Sequence, residues 1–128
     1  MKPTVYIETS VVSYLTARPS RDLRVAADQE ATRYWWQEES PSFSLFVSTS
    51  VLDEIRGGDA MAAKKRISMV APITVLPDSE EAGDLSDILL RSLTLPSHAK
   101  IDAAHIAIAA IHGMDYLLTL NCRHINNA

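Results

Sequence analysis

Three acids and one amide, far apart along the chain, have the chemistry to hold a divalent cation. Glu8 follows directly on the β-branched and aromatic run Thr4 to Ile7, and Glu54 lies in a short segment after the run Ser44 to Ser48. Asp102 stands in the first turn of the alanine-rich stretch Lys100 to Gly113, and Asn121 follows Thr119 and Leu120 at the end of the run Tyr116 to Leu118. If those runs are parallel strands, Glu8, the start of the Glu54 segment and Asn121 share the carboxyl edge of one sheet, where open α/β folds collect ligands. Asp102 joins them from the N-terminal turn of the last helix. Acids gathered about one point repel and raise one another's pKa unless a cation neutralises them. Hard oxygen donors suit Mg²⁺ or Mn²⁺, which keep waters, bridge phosphate oxygens and acidify an attacking water. Phosphodiester hydrolysis is the reaction class this chemistry serves. Thr9, Ser10, Thr49 and Thr119 place small hydroxyls near the same edge, suited to orienting a water or a phosphate.

Each of these residues also has a plainer reading. Asp102 complements the positive end of its helix dipole. Glu8 fits a solvated loop, Glu54 a helix surface with Asp53 as its neighbour and rival, and Asn121 a turn after a strand. His105 and His112 lie on one helix stripe and are expected to pack with one ring nitrogen bonded. Cys122 has no evident base and reads as a small packed residue. Trp35 and Tyr34 suit a core or a dimer contact, and Lys64-Lys65-Arg66 reads either as a solvated helix face or as a grip on phosphate.

The elements that must position these groups follow from periodicity. In the stretch around Asp102, Ile101, Ala104, Ile108 and Ile111 recur at helical spacing, and Gly113 supplies a left-handed end. Tyr116 to Leu118 then reads as a short interior strand. Upstream, Thr4 to Ile7 reads as a strand, Val11 to Leu15 as a short helix or turn, and Ala17 to Arg21 as a break. Asp22 to Glu39 is the longest helical candidate, with Leu23, Ala27, Ala31, Tyr34 and Trp35 on a stripe expected to pack on the sheet. Ser44 to Ser48 is a second strand, and Thr49-Ser50 is expected to cap a short helix that Gly57-Gly58 ends. A helix over Asp59 to Val70 leads through Pro72 to a third strand, Ile73 to Leu76. Asp78 and Glu81 suggest a capping box before a helix carrying Ala82, Leu85, Leu89 and Leu93 on one face, which Pro96-Ser97 breaks. Strands alternating with helices at these lengths imply right-handed crossovers and a buried parallel sheet, hence an α/β domain in three layers, α/β/α.

Composition bounds the rest. The chain has 128 residues, 47% hydrophobic and 22% charged, which suits one domain over 1-128 with no linker to divide it. One cysteine and no leader-like N-terminus make a reducing cytoplasm the expectation, and no apolar run approaches the ~20 residues of a membrane span. A formal net charge of -4 argues against a broad basic surface for nucleic acid, though an enzyme whose acids hold cations can be acidic overall.

Four stretches together resemble the conserved blocks of PIN domains, particularly VapC-like toxins. They are Tyr6-Ile7-Glu8-Thr9-Ser10, Ser48 to Gly57 with Asp53-Glu54-Ile55, Asp102-Ala103-Ala104-His105-Ile106-Ala107, and Leu117 to Cys122, in the family's order over nearly the whole chain. The resemblance implies a Mg²⁺ or Mn²⁺ dependent endoribonuclease with a parallel sheet, commonly a homodimer, often paired with an inhibiting antitoxin protein, with RNA as substrate. Carried over residue by residue, it makes Glu8, Glu54, Asp102 and Asn121 the metal-site and catalytic positions. Glu8 stands where the family usually has Asp and is longer by one methylene. Asn121 stands where the family often has Asp, which removes one negative charge and favours one metal over two, or weak binding. The chain stops at Ala128, where the family usually adds another strand, so the expectation is a C-terminally shortened domain lacking that strand, its fourth strand near an edge. The alternative reading is a PIN-like scaffold that cuts weakly or not at all and binds protein or RNA.

Overall fold

The computed structural model describes residues 1–92 and 100–121. The expectations for Leu93, Pro96-Ser97, Cys122 and a last strand after Asn121 lie outside these residues. The β-branched and aromatic runs form the strands β1 (Thr4–Ile7), β2 (Ser44–Ser48), β3 (Thr74–Leu76) and β4 (Tyr116–Leu118). They pair in the order β3-β2-β1-β4, all parallel, with Val5 opposite both Leu45 and Tyr116 and Phe46 opposite Thr74.

Between the strands lie α1 (Thr9–Thr16), α2 (Leu23–Tyr34), α3 (Thr49–Ile55), α4 (Ala60–Val70), α5 (Glu80–Ser92) and α6 (Lys100–Ile111). The steps β1 to β2 and β2 to β3 run one way across the sheet, and the step β3 to β4 returns past β1. Right-handed crossovers then set the connecting helices on opposite faces. The packing agrees, since α1 touches α2, α3 and α4 while α5 lies along α6. The sheet is thus the middle of three layers. The direction of winding reverses between β1 and β4, and Glu8 N–H donates to the Leu118 carbonyl at 3.1 Å just beyond the paired residues. Val5, Tyr6, Ile7, Val47, Val51, Ile55 and Ile108 form the centre of the core.

Several expectations are corrected. Of the stripe expected to seat the helix on the sheet, Leu23, Ala27, Ala31 and Tyr34 face water, with Leu23 86% exposed, and only Trp35 packs against the core; the buried positions of α2 are Gln29 and Thr32. Their polar groups are satisfied locally. Gln29 accepts from Ser20 N–H and donates to the Arg18 carbonyl, both in the loop before α2, and Thr32 donates to the Asp28 carbonyl within α2, so these buried positions are held by polar partners that hydrophobic periodicity does not reveal. The helix also stops at Tyr34. A π-helical segment over Trp35–Glu39 follows, and Trp35 stacks on Phe43 at 5.8 Å. Ser48 caps α3, accepting from Val51 N–H, and the Ser79 hydroxyl accepts from Ala82 N–H at the start of α5. In each case the cap is the serine directly before the first helical residue. In α6 the buried face is Ala103, His105, Ala107, Ile108 and Ala109, whereas Ile111 is exposed. Gly113 does take the left-handed conformation, with φ 66. Among the described residues β4 pairs with β1 alone and is an edge strand. No helix among them is long and apolar enough to cross a membrane.

Candidate active site

The carboxyl ends of β1 and β4 flank the place where the winding reverses, and the candidate residues stand around it. Glu8 is the N-cap of α1 but does not cap it with its side chain. Its carboxylate is buried, and Oε1 accepts from the Ser10 hydroxyl and, at 2.7 Å, from Thr119 Oγ1. Those two hydroxyls also hold the strand end: Leu120 N–H donates to Ser10 Oγ and Asn121 N–H to Thr119 Oγ1, each at 2.9 Å. Asp102, 7% exposed in the first turn of α6, accepts from Asn121 Nδ2 at 2.9 Å. Glu8, Thr119, Asn121 and Asp102 are therefore one hydrogen-bonded set.

A second set meets it through α1, where Thr9 adjoins Ser10. Thr9 Oγ1 donates to Glu54 Oε1, and His105 Nε2 lies 2.7 Å from the same oxygen. On its other side His105 Nδ1 is 2.6 Å from the Tyr6 hydroxyl, which is 2.7 Å from Ser48 Oγ. Burial raises Glu54, but the hydrogen bonds from His105 and Thr9 and the charge the ring carries when protonated outweigh it, leaving the carboxyl below its ordinary pKa. Tyr6 is pushed well above the ordinary phenol value, chiefly by burial, with the charges of Glu54 and Glu8 adding to it against a hydrogen bond from Ser48. Its hydroxyl stays protonated. The nearby Thr49 Oγ1 is a buried side-chain oxygen with no hydrogen-bond partner, unlike Thr9, Ser10 and Thr119.

Among the described residues, no three His, Cys, Asp or Glu side chains converge closely enough to cage an ion. Mg²⁺ is commonly held by one or two carboxylates with water completing the shell, so an all-protein cage is not required. The donors point the same way. Both protein donors to Glu8 take Oε1, both donors to Glu54 take Oε1, and the second oxygen of each glutamate receives none from the described residues. Hard oxygens left over on two acids at the same sheet edge as Asp102 fit a water-rich divalent site.

No family model matches the chain, and no curated protein is significantly similar in sequence. Among solved structures it is similar to VapC20 of Mycobacterium tuberculosis, described as a sarcin-ricin loop cleaving toxin. The two share 17% identity at a TM-score of 0.64, over 93% of this chain and 91% of that one. The chain has a VapC-like PIN fold. Such likeness at low identity establishes the architecture, and the PIN fold here carries the strand order and switch point just described.

Sequence reasoning singled out Glu8, Glu54, Asp102 and Asn121, and all four stand at the same sheet edge. It missed the depth of His105, which is fully buried with both ring nitrogens engaged, and it missed Tyr6 and Ser48. A signal was available: a tyrosine inside an apolar strand and a histidine inside an alanine-rich helix both bury polar atoms that must find partners.

Proposed function

We propose that this chain is a divalent-metal-dependent endoribonuclease that hydrolyses RNA phosphodiester bonds, acting as the toxin of a toxin-antitoxin pair. The observation that carries the reading is the pair of glutamates at the switch point, each with one oxygen fixed by hydroxyl or imidazole donors and the other left over. The likeness to VapC20 supports RNA as the substrate and an inhibiting antitoxin as the protein partner. In this reading Glu8, Glu54 and Asp102 hold Mg²⁺ or Mn²⁺. Asn121 is a fourth, weaker position, because its nitrogen is directed at Asp102 and its carbonyl oxygen is the group left to offer.

When bound there, a divalent ion supplies charge to the phosphate oxygens and makes water a stronger acid. The chain's own residues do the positioning. Ser10 and Thr119 hold Glu8 against the end of β4, Thr9 and His105 hold Glu54, and the Asn121 amide steadies Asp102. These contacts are set in the folded protein, so little reorganisation accompanies binding.

One observation favours a second reading, a PIN-like scaffold that binds without cutting: among the described residues no three His, Cys, Asp or Glu side chains converge. The test is cleavage of structured and single-stranded RNA by the folded protein with Mn²⁺ and with EDTA. Cutting that requires Mn²⁺ supports the nuclease; a folded protein that leaves both RNAs intact overturns it in favour of the scaffold.

A further inference from the structure

His105 touches neither solvent nor anything that could enter the site, since it is fully buried. Its two nitrogens nevertheless join the core to the candidate site. The donors along this path fall into one consistent order. Val51 N–H donates to Ser48 Oγ at 3.2 Å, as a helix cap does. The Ser48 hydroxyl is then free to donate to Tyr6, the Tyr6 hydroxyl to His105 Nδ1, and His105 Nε2–H to Glu54 Oε1. In this order every hydrogen has an acceptor, and the neutral ring carries its proton on Nε2. The opposite order fails, because a proton on Nδ1 alone would leave Nε2 as a lone pair facing a carboxylate.

With this order Glu54 is held at one oxygen from two directions, by Thr9 at the start of α1 and by His105 on α6. The carboxylate is left little freedom to rotate, and Oε2 is the oxygen that remains. We propose that His105 is a positioning residue for Glu54, its tautomer set by Tyr6 and Ser48, so that a cap at the start of α3 determines which carboxylate oxygen is presented to a divalent ion. This rests on the reading of the site as a metal-dependent ribonuclease. It goes beyond that reading by assigning a function to three residues that touch neither ion nor RNA. Ligand-orienting hydrogen bonds of this kind commonly change metal affinity or activity by about 10- to 100-fold when removed.

The test is Mn²⁺ affinity by calorimetry, with RNA cleavage in parallel, for the wild type, Tyr6→Phe, His105→Ala and His105→Gln. Tyr6→Phe and His105→Ala are also made in a Glu54→Gln background. The expected result is Mn²⁺ binding weakened about 10- to 100-fold in His105→Ala, less in Tyr6→Phe, and partly restored in His105→Gln, whose amide can donate to Glu54. In the Glu54→Gln background Tyr6→Phe and His105→Ala should produce no further loss, because the group they position is altered. Loss of stability with unchanged Mn²⁺ affinity would overturn the positioning role, and so would equal losses with and without the Glu54 carboxylate. If His105→Ala does not fold, Tyr6→Phe, which keeps the ring and removes only the hydroxyl, decides the matter in both backgrounds. A wild type that cuts RNA while Tyr6→Phe keeps full affinity would overturn this proposal and leave the ribonuclease standing. A wild type that neither binds Mn²⁺ nor cuts would overturn both.

Discussion

Glu54 shows most directly how a single side chain links the fold to its chemistry. Its pKa lies below the ordinary 4.5, so the ionised form is stabilised in the folded state relative to the unfolded one. That contribution is fully present above about pH 4.5 and is lost as pH falls through the lower folded value. Glu54→Gln should therefore show a shallower loss of stability between pH 7 and pH 3 than the wild type, measured by urea unfolding in EDTA; an identical acid slope would show that His105 and Thr9 do not stabilise the charge. Asn121 presents the converse case. Its amide donates to Asp102, and an acid in its place would set two carboxylates against each other, a repulsion that a cation relieves. Asn121→Asp is expected to raise Mn²⁺ affinity by about tenfold, equivalent to ~1.4 kcal/mol, by calorimetry. A fall in affinity would mean that the amide oxygen is itself the better ligand.

At the level of elements, α3 and α4 are tied by Arg66. Its Nε donates to the Ile55 carbonyl at 3.1 Å and its guanidinium reaches the Gly57 carbonyl at 2.8 Å, so it serves the carbonyls that end the helix bearing Glu54. Arg66→Ala should cost about 1.5–3 kcal/mol in denaturant unfolding, the range for hydrogen bonds to a charged group. Arg66→Lys should recover only part, since an ammonium cannot reproduce the forked geometry. A loss below about 0.5 kcal/mol would place Arg66 with ordinary surface residues. From the sequence this arginine could not be told from Lys64 and Lys65, because its distinction lies in carbonyls brought near by the turn at Gly57-Gly58. Strand positions were legible, since each is a short apolar run bounded by turn or cap residues. The seating of α2 was not: Gln29 and Thr32 are buried because nearby carbonyls and a backbone N–H satisfy them, and such partners leave no trace in hydrophobic spacing. The buried side of α6 was misplaced for a related reason, as alanines mark both faces of that helix and His105, not Ile111, is turned inward.

Across the whole molecule, the order β3-β2-β1-β4 brings residues more than a hundred positions apart, such as Glu8 and Thr119, to one edge. The alternation of strands and helices and the four sequence blocks foretold that meeting; the pairing of each acid with its own donor depends on side-chain geometry that spacing does not encode. The chain is acidic overall, and the exposed Lys64 and Lys65 border an apolar groove with Leu45 and Ile73, which lie at the start of β2 and just before β3, the sheet edge opposite the acids. Lys64→Ala with Lys65→Ala is therefore expected to leave the salt dependence of RNA binding unchanged, whereas a slope flatter by about 0.7 per lysine would put RNA on that face. The central claim is that the acids at the switch point carry out metal-dependent RNA cleavage, and it is tested most directly by Asp102→Asn. This change keeps the side-chain shape and removes one charge from the buried first turn of α6. The measurement is Mn²⁺-dependent RNA cleavage by that variant beside the wild type, with circular dichroism showing both to be folded. The expected result is an intact fold with cleavage lost; undiminished cutting by folded Asp102→Asn would contradict it.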